Sequence, residues 1–261
     1  TYFRNGEPES FRGYCTDIWF DEAMKFIERS DDEPFFCYVP TNAPHSPFNV
    51  PDPYRELYNS DDIPEQRKRF YGMITNIDEN VGRMRNFLKE KNLDQNTIFI
   101  FMTDNGTAAG CDLDGQGFVN NGYNAGQRGK KGSEYDGGHR VPFLMHWPAG
   151  GYTESRDLNS LTANIDFLPT LCDLCDVPIS NDAMSHINGT SLKPLLEKDT
   201  QALDRVIVTD SQRVEHPEKW RKSATMTDRW RLINGKELYD IQADPEQRNN
   251  VSAQNPDVMS N

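Results

Sequence analysis

Asp104, Asn105 and Lys131 have the side-chain chemistry to hold a hard cation and an anion in one place. Asp104-Asn105-Gly106 directly follows Thr97-Ile98-Phe99-Ile100-Phe101-Met102-Thr103, a short apolar, β-branched and aromatic run that reads as a buried strand. In open α/β sheets, ligands sit outside the carboxyl ends of the strands. A carboxylate and an amide oxygen at that position suit a hard cation, which prefers oxygen ligands. Lys131 follows in a glycine-rich block, Lys130-Lys131-Gly132-Ser133-Glu134-Tyr135-Asp136-Gly137-Gly138-His139-Arg140-Val141-Pro142. Its ammonium can reach an anion bound on the same metal. A metal and a lysine converging on one anionic group outline a hydrolase for phosphate or sulfate esters.

Simpler readings exist for each residue. Asp-Asn-Gly serves well as an Asx turn closing a strand, and two adjacent exposed lysines are ordinarily solvated surface. Their combination favours metal ligation by Asp104 and Asn105. His45 sits in Ala43-Pro44-His45-Ser46-Pro47, just past a short apolar strand at Pro34–Val39, and so on the same rim as Asp104. A lone loop histidine is usually incidental. Arg140 reads as packing or pairing within its own loop. Gln212, Arg213 and His216 read as exposed loop residues with the option of overhanging the site.

The elements that must position these residues are legible from periodicity. Residues 16–30 read as an amphipathic helix through Ile18, Trp19, Ala23, Phe26 and Ile27, capped by Thr16 or Asp17. Residues 66–91 form the strongest helical pattern, with Phe70, Ile74, Ile77, Val81, Met84 and Leu88 at three- and four-residue steps. Residues 106–138 read as one long loop, of a length that is usually functional or disordered. A strand follows at 141–147 and a helix at 166–177, with Pro169 in its first turn. Short strands are expected at 205–209, 223–227, 230–233 and 237–239, the last two joined by an Asn234-Gly235 hairpin turn. The predicted class is therefore α/β, a mainly parallel mixed sheet flanked by helices, with a small C-terminal antiparallel subdomain. The expected units are 1–202 and 203–261.

The 261 residues are enough for a full core, as one large or two unequal domains. A formal net charge of −13 argues against nucleic acid and anionic membrane as partners. An anionic substrate then requires local cations, which directs attention to a metal and a few placed basic residues. No stretch approaches the length of a transmembrane helix, and no signal peptide is evident. Five cysteines do not form an even disulfide framework, and Cys172 and Cys175 read as two core thiols of the 166–177 helix.

The Asp104-Asn105-Gly106 and Lys131 blocks together resemble the sulfatase family. The resemblance extends through Gly13-Tyr14-Cys15-Thr16-Asp17, Pro34-Phe35-Phe36, Asn42-Ala43-Pro44-His45-Ser46-Pro47, Glu237-Leu238-Tyr239-Asp240 and Asp244-Pro245, over nearly the whole chain. It implies an alkaline-phosphatase-like fold and Ca²⁺ on Asp104 and Asn105, with Mg²⁺ or Mn²⁺ acceptable to the same oxygens. It selects Lys131, which directly precedes Gly132, over Lys130 as the sulfate-binding lysine. It gives His45 the role of binding sulfate near the leaving-group oxygen, where a protonated imidazole can donate a proton. Asp136 stands where the family more often has Glu.

The family's nucleophile is a formylglycine made from the Cys or Ser of a Cys/Ser-x-Pro-x-Arg motif. None of Cys15, Cys37, Cys111, Cys172 and Cys175 begins such a motif, and no serine does. The chain also starts at Thr1 rather than Met. The expectation is a C-terminal part of a sulfatase that by itself hydrolyses no sulfate ester and binds Ca²⁺ poorly. The implied substrate is a sulfate ester, with a sulfated carbohydrate favoured, and the implied location is the periplasm or the cell exterior. The competing readings are a phosphate or phosphonate monoester hydrolase and a non-catalytic binder of sulfated glycans.

Overall fold

A computed structural model describes residues 2–31, 33–197 and 203–260. The chain opens on a hairpin of β1 (Tyr2–Arg4) and β2 (Glu7–Glu9). Asn5 (φ 52°) and Gly6 (φ 90°) form its left-handed turn, a signal that the sequence reading leaves unused. The two long helices fall where the apolar periodicity places them, α1 at Cys15–Arg29 and α3 at Glu65–Glu90, with the short α2 (Asp52–Glu56) between. Phe20, Ala23 and Ile27 of α1 are buried against Met84 and Leu88 of α3. Each fully buried side chain of this kind contributes roughly 1.5–3 kcal/mol.

The expected Thr16 or Asp17 cap is not formed. Tyr14 occupies the N-cap without a side-chain bond. Thr16 is buried, and Asp17 Oδ1 instead accepts the side-chain N–H groups of Asn76 and Asn80 of α3, both at 2.8 Å. Both asparagines are fully buried, so the polar bonds fix the register of the two helices inside an otherwise apolar contact.

The segment expected as a strand at 34–39 is not a strand and belongs to no ladder among the described residues. Its side chains alternate. Phe35, Cys37 and Val39 pack on the α1–α3 core, whereas Phe36 and Tyr38 are 75% and 76% exposed. The period-two pattern of burial is real, but among the described residues no strand pairs with this segment. β3 (Phe99–Met102) pairs antiparallel with β6 (Phe143–His146), both within their expected ranges. The expected parallel pairings are not among the described ones, each of which is antiparallel.

The loop expected at 106–138 carries structure of its own. β4 (Cys111–Leu113) and β5 (Val119–Gly122) form a hairpin, and α4 (Asp136–His139) is one helical turn. Asp114 Oδ1 closes the hairpin turn by accepting the N–H groups of Gln116 and Phe118. The 166–177 helix appears as α5 (Phe167–Leu174), entered through a 3₁₀ turn. The two thiols near it are not core residues, since Cys172 is half-buried and Cys175 exposed, while Leu174 takes the buried position. Short helices α6 (Asn181–Ser185) and α7 (Lys193–Glu197) follow.

The C-terminal strands β7 (Ile207–Asp210), β8 (Ser223–Met226), β9 (Trp230–Ile233) and β10 (Glu237–Asp240) form a four-stranded antiparallel sheet in the order β10-β9-β8-β7. Asn234 (φ 52°) and Gly235 (φ 64°) supply the expected hairpin turn. Ala224, Met226, Ile233 and Tyr239 bury one face of this sheet together with Tyr135 of the glycine-rich block. The expected unit boundary at 202 falls within 198–202, outside the described residues. On either side of it, Arg205 donates to Asp166 Oδ1 and Oδ2 at 2.8 and 2.5 Å, tying β7 to the start of α5.

Candidate active site

β3 ends at Met102 and delivers Thr103-Asp104-Asn105-Gly106 to the surface, as the strand-end argument requires. Asp104 is exposed, and among the described residues no donor reaches its carboxylate. The Asn105 side-chain N–H group donates to the Gly106 carbonyl at 3.0 Å. Its Oδ1 has no partner among the described residues. The side-chain oxygens of Asp104 and Asn105 are hard donors without hydrogen-bond partners among the described residues, a chemistry that fits a hard cation, while the Asn105 main-chain oxygen accepts the Thr103 hydroxyl at 3.2 Å. Two residues fall short of the ~6–8 oxygens that calcium takes. Among the described residues no group of three or more His, Cys, Asp or Glu gathers to complete the sphere.

The lysine block lies directly against this turn. Gly106 N–H donates to Gly138 O at 3.0 Å, and Lys131 N–H donates to Thr107 O at 2.9 Å. The approach is so close that a Cβ on Gly106 would sit 1.8 Å from the Gly137 carbonyl oxygen, which only glycine at 106 avoids. Residues 104–107 and 131–138 are thus one bonded unit, although the 23 residues 108–130 lie between them.

The two lysines differ in what they do. Lys130 Nζ is 3.4 Å from the Cys111 carbonyl oxygen and so is turned toward the β4–β5 hairpin. Lys131 is half-buried, and its ammonium has no hydrogen-bond or ion-pair partner among the described residues. His139 Nε2 lies 3.1 Å from the Glu134 carbonyl oxygen. Burial pushes its imidazole below the ordinary value, against the pull of Asp136. Arg140 pairs within its own loop, 3.7 Å from Asp136 Oδ2.

His45 is exposed, with Nδ1 2.8 Å from the Ser46 carbonyl oxygen. As a donor there, Nδ1 leaves Nε2 free to face solvent or a ligand. No hydrogen bond joins His45 to Asp104, Asn105 or Lys131 among the described residues. The connection runs through packing: Phe48 meets Phe70 of α3 edge-on at 6.0 Å, and the Phe70 ring lies 3.4 Å from where a Gly110 Cβ would stand. Gly110 N–H in turn bonds Thr107 Oγ1. The Gln212–His216 loop is braced on itself, with Gln212 bonded to Asp210 and to the Glu218 backbone.

Sequence reasoning missed the grip of the C-terminal sheet on the lysine block. Arg128 stacks over Tyr135 at 3.9 Å and donates to Tyr239 Oη and to the Gln247 carbonyl. Burial, and then the bond to Glu237, pushes the Tyr239 phenol up to about 12, so it stays protonated. Asp136 meets Arg231, and Asn234 meets Glu134. No local signal announces these partners, which lie about 100 residues apart in sequence.

The fold is α/β, of the alkaline-phosphatase-like type, with the Asp104–Gly106 turn bonded to the lysine loop. The sulfatase family model matches residues 1–177, and the model for the C-terminal region of N-sulphoglucosamine sulphohydrolase matches residues 130–259. The chain belongs to the sulfatase family. It is 31% identical over 203 residues to an uncharacterized sulfatase, YdeN, of Escherichia coli K12, covering 76% of this chain and 34% of that protein. It is 29% identical to an N-acetylgalactosamine-6-O-sulfatase of Bacteroides thetaiotaomicron, covering 93% of this chain and 48% of that one. Its fold matches the crystal structure of Ps i-CgsB in complex with k-i-k-neocarrahexaose with a TM-score of 0.85 at 27% identity, over 98% of this chain and 55% of the other. The chain therefore spans between about a third and just over half of the length of these relatives.

Proposed function

We propose that these residues form the metal-and-lysine half of a sulfuric ester hydrolase acting on sulfated carbohydrate in an exported protein. The nucleophile, a formylglycine, would come from outside the 261 residues. The observation that supports the reading is the backbone bonding of 104–107 to 131–138, which brings the chain at Asp104 and Asn105 close to the chain at Lys131. Asp104 and Asn105 would hold a calcium ion, which when bound supplies positive charge for a sulfate oxygen. Lys131 would neutralise a second oxygen as the ester bond breaks. His45 would present Nε2–H to the departing alkoxide. The relatives' names support the carbohydrate reading: one acts on N-acetylgalactosamine-6-O-sulfate groups, and another was solved with a neocarrahexaose.

A substrate panel tests this against its rivals. The full-length natural protein containing these residues is expected to hydrolyse 4-nitrophenyl sulfate and sulfated oligosaccharides in preference to 4-nitrophenyl phosphate and phenylphosphonate esters. The 261-residue chain alone is expected to hydrolyse none of them. Preference for the phosphate or phosphonate would replace the sulfatase reading. Binding of sulfated oligosaccharide without turnover by the full-length protein would favour a non-catalytic binder, and turnover by the 261 residues alone would place the nucleophile within them.

A further inference from the structure

The buried contact between the C-terminal sheet and the lysine block is more specific than packing requires. Asp136, the first residue of α4, is 1% exposed, while Arg231 of β9 is 5% and Gln247 0% exposed. Arg231 Nε–H donates to Asp136 Oδ1 at 3.1 Å, and the Asp136 backbone N–H donates to Gln247 Oε1 at 2.8 Å. One residue is thus held by side chain and main chain at once. Gln247 adopts a left-handed backbone (φ 56°), uncommon for a side chain of its size, while reaching this position.

The residues next to Asp136 carry the contact onward to the site. Gly137 N–H donates to Arg128 O at 2.8 Å, and Gly138 O accepts the N–H of Gly106. Gly137 and Gly138 are themselves jammed, since a Cβ would lie 2.3 Å from Gly129 O in one case and 2.0 Å from Ser133 O in the other. A shift of Asp136 therefore moves the carbonyls on which the Asp104–Gly106 turn rests. It also moves the 131–133 turn, whose Ser133 carbonyl lies against Gly138.

Stability does not account for this arrangement. Burying an ion pair is often no better than an apolar pair of the same volume. Here Gln247 Nε2 is buried without a hydrogen-bond partner among the described residues, and Asp136 Oδ2 has only the Arg140 guanidinium at 3.7 Å. Such groups cost stability, so their retention points to placement of the loop.

We propose that Arg231 and Gln247 are positioning residues that hold Asp136, and through it set Lys131 and the Asp104–Gly106 turn at their working separation. The proposal rests on Lys131 as the sulfate-binding cation. A double-mutant cycle tests it, using kcat/KM for 4-nitrophenyl sulfate in the full-length protein. Asp136→Asn is made alone and with Lys131→Ala. Gln247→Met, which keeps the volume and removes the acceptor, serves as a second variant should Asp136→Asn fail to fold. Each substitution is expected to lower kcat/KM by about tenfold or more with Lys131 present and to have little effect in Lys131→Ala. An equal loss in both backgrounds would mean that the contact is structural only, and the positioning claim falls. If Lys131→Ala alone leaves turnover unchanged, the assignment of Lys131 fails first and takes the positioning claim with it.

Discussion

Lys131→Ala is expected to lower kcat/KM for a sulfate ester by about 10²–10³-fold in the full-length protein, the usual effect of removing one donor aimed at developing negative charge. The loss should fall mainly on kcat, because the ammonium matters most as charge grows on the sulfate oxygens during bond cleavage. Lys131→Arg should recover only part of it, since a planar fork does not replace a compact point charge. Lys130→Ala is the matched control. Its ammonium is turned to the Cys111 carbonyl, and its removal should leave turnover close to the wild-type level. Steady-state kinetics on the four proteins decides the matter. Loss in Lys130→Ala with none in Lys131→Ala would reverse the assignment of the two lysines.

The largest effect on stability is expected at Asp166. Its carboxylate is fully buried and receives Arg205 Nη1 and Nη2 together with the backbone N–H groups of Thr190 and Ala163. Gly189 packs so closely on this turn that a Cβ would lie 1.9 Å from the Ile165 carbonyl oxygen. Asp166→Asn keeps the shape but leaves the mostly buried Arg205 guanidinium without its counter-charge, a change that costs about 3–5 kcal/mol. Urea unfolding is expected to show that loss, and a midpoint shift of near zero would refute the account. Burial alone would raise the pKa of Asp166, but Arg205 and the two N–H donors together hold it below the ordinary carboxylate value. The stabilisation is therefore complete above the unfolded-state pKa of about 3.9 and is lost as the pH falls through the lower folded value. The difference between wild type and Asp166→Asn should accordingly be constant near neutrality and narrow only in strong acid.

Much of what positions the site is local and can be seen in the chain itself. The three- and four-residue spacing from Phe70 to Leu88 produces α3, and the apolar run before Asp104 produces β3, because each pattern depends only on neighbours along the chain. The block around Lys131 is legible for the same reason. Asn234-Gly235 marks its hairpin by turn chemistry alone. The β4–β5 hairpin is less visible, since its strands are only three and four residues long, although Asp114-Gly115-Gln116-Gly117 is a usable turn signal.

What the chain conceals is long-range. Nothing around Asp17 indicates that its carboxylate serves Asn76 and Asn80 rather than its own helix terminus. Nothing around Asp136 points to Arg231 or Gln247, 95 and 111 residues away. The alternation at 34–39 matches the alternating burial there but not the expected strand, because pairing depends on a second strand and cannot be inferred from one. The jammed glycines at 106, 137 and 138 belong to the same class, because their need for a missing Cβ arises only when distant segments meet.

On the proposed function, Asp104 and Asn105 hold a cation beside Lys131 in a sulfate-ester hydrolase. The most direct test follows 4-nitrophenyl sulfate turnover by the full-length protein through chelation with EDTA and return of Ca²⁺, beside Asp104→Ala carried through the same steps. Wild-type turnover is expected to disappear on chelation and return with Ca²⁺, while Asp104→Ala stays at the chelated level throughout. Wild-type turnover indifferent to chelation, or full activity in Asp104→Ala, would contradict the proposed function.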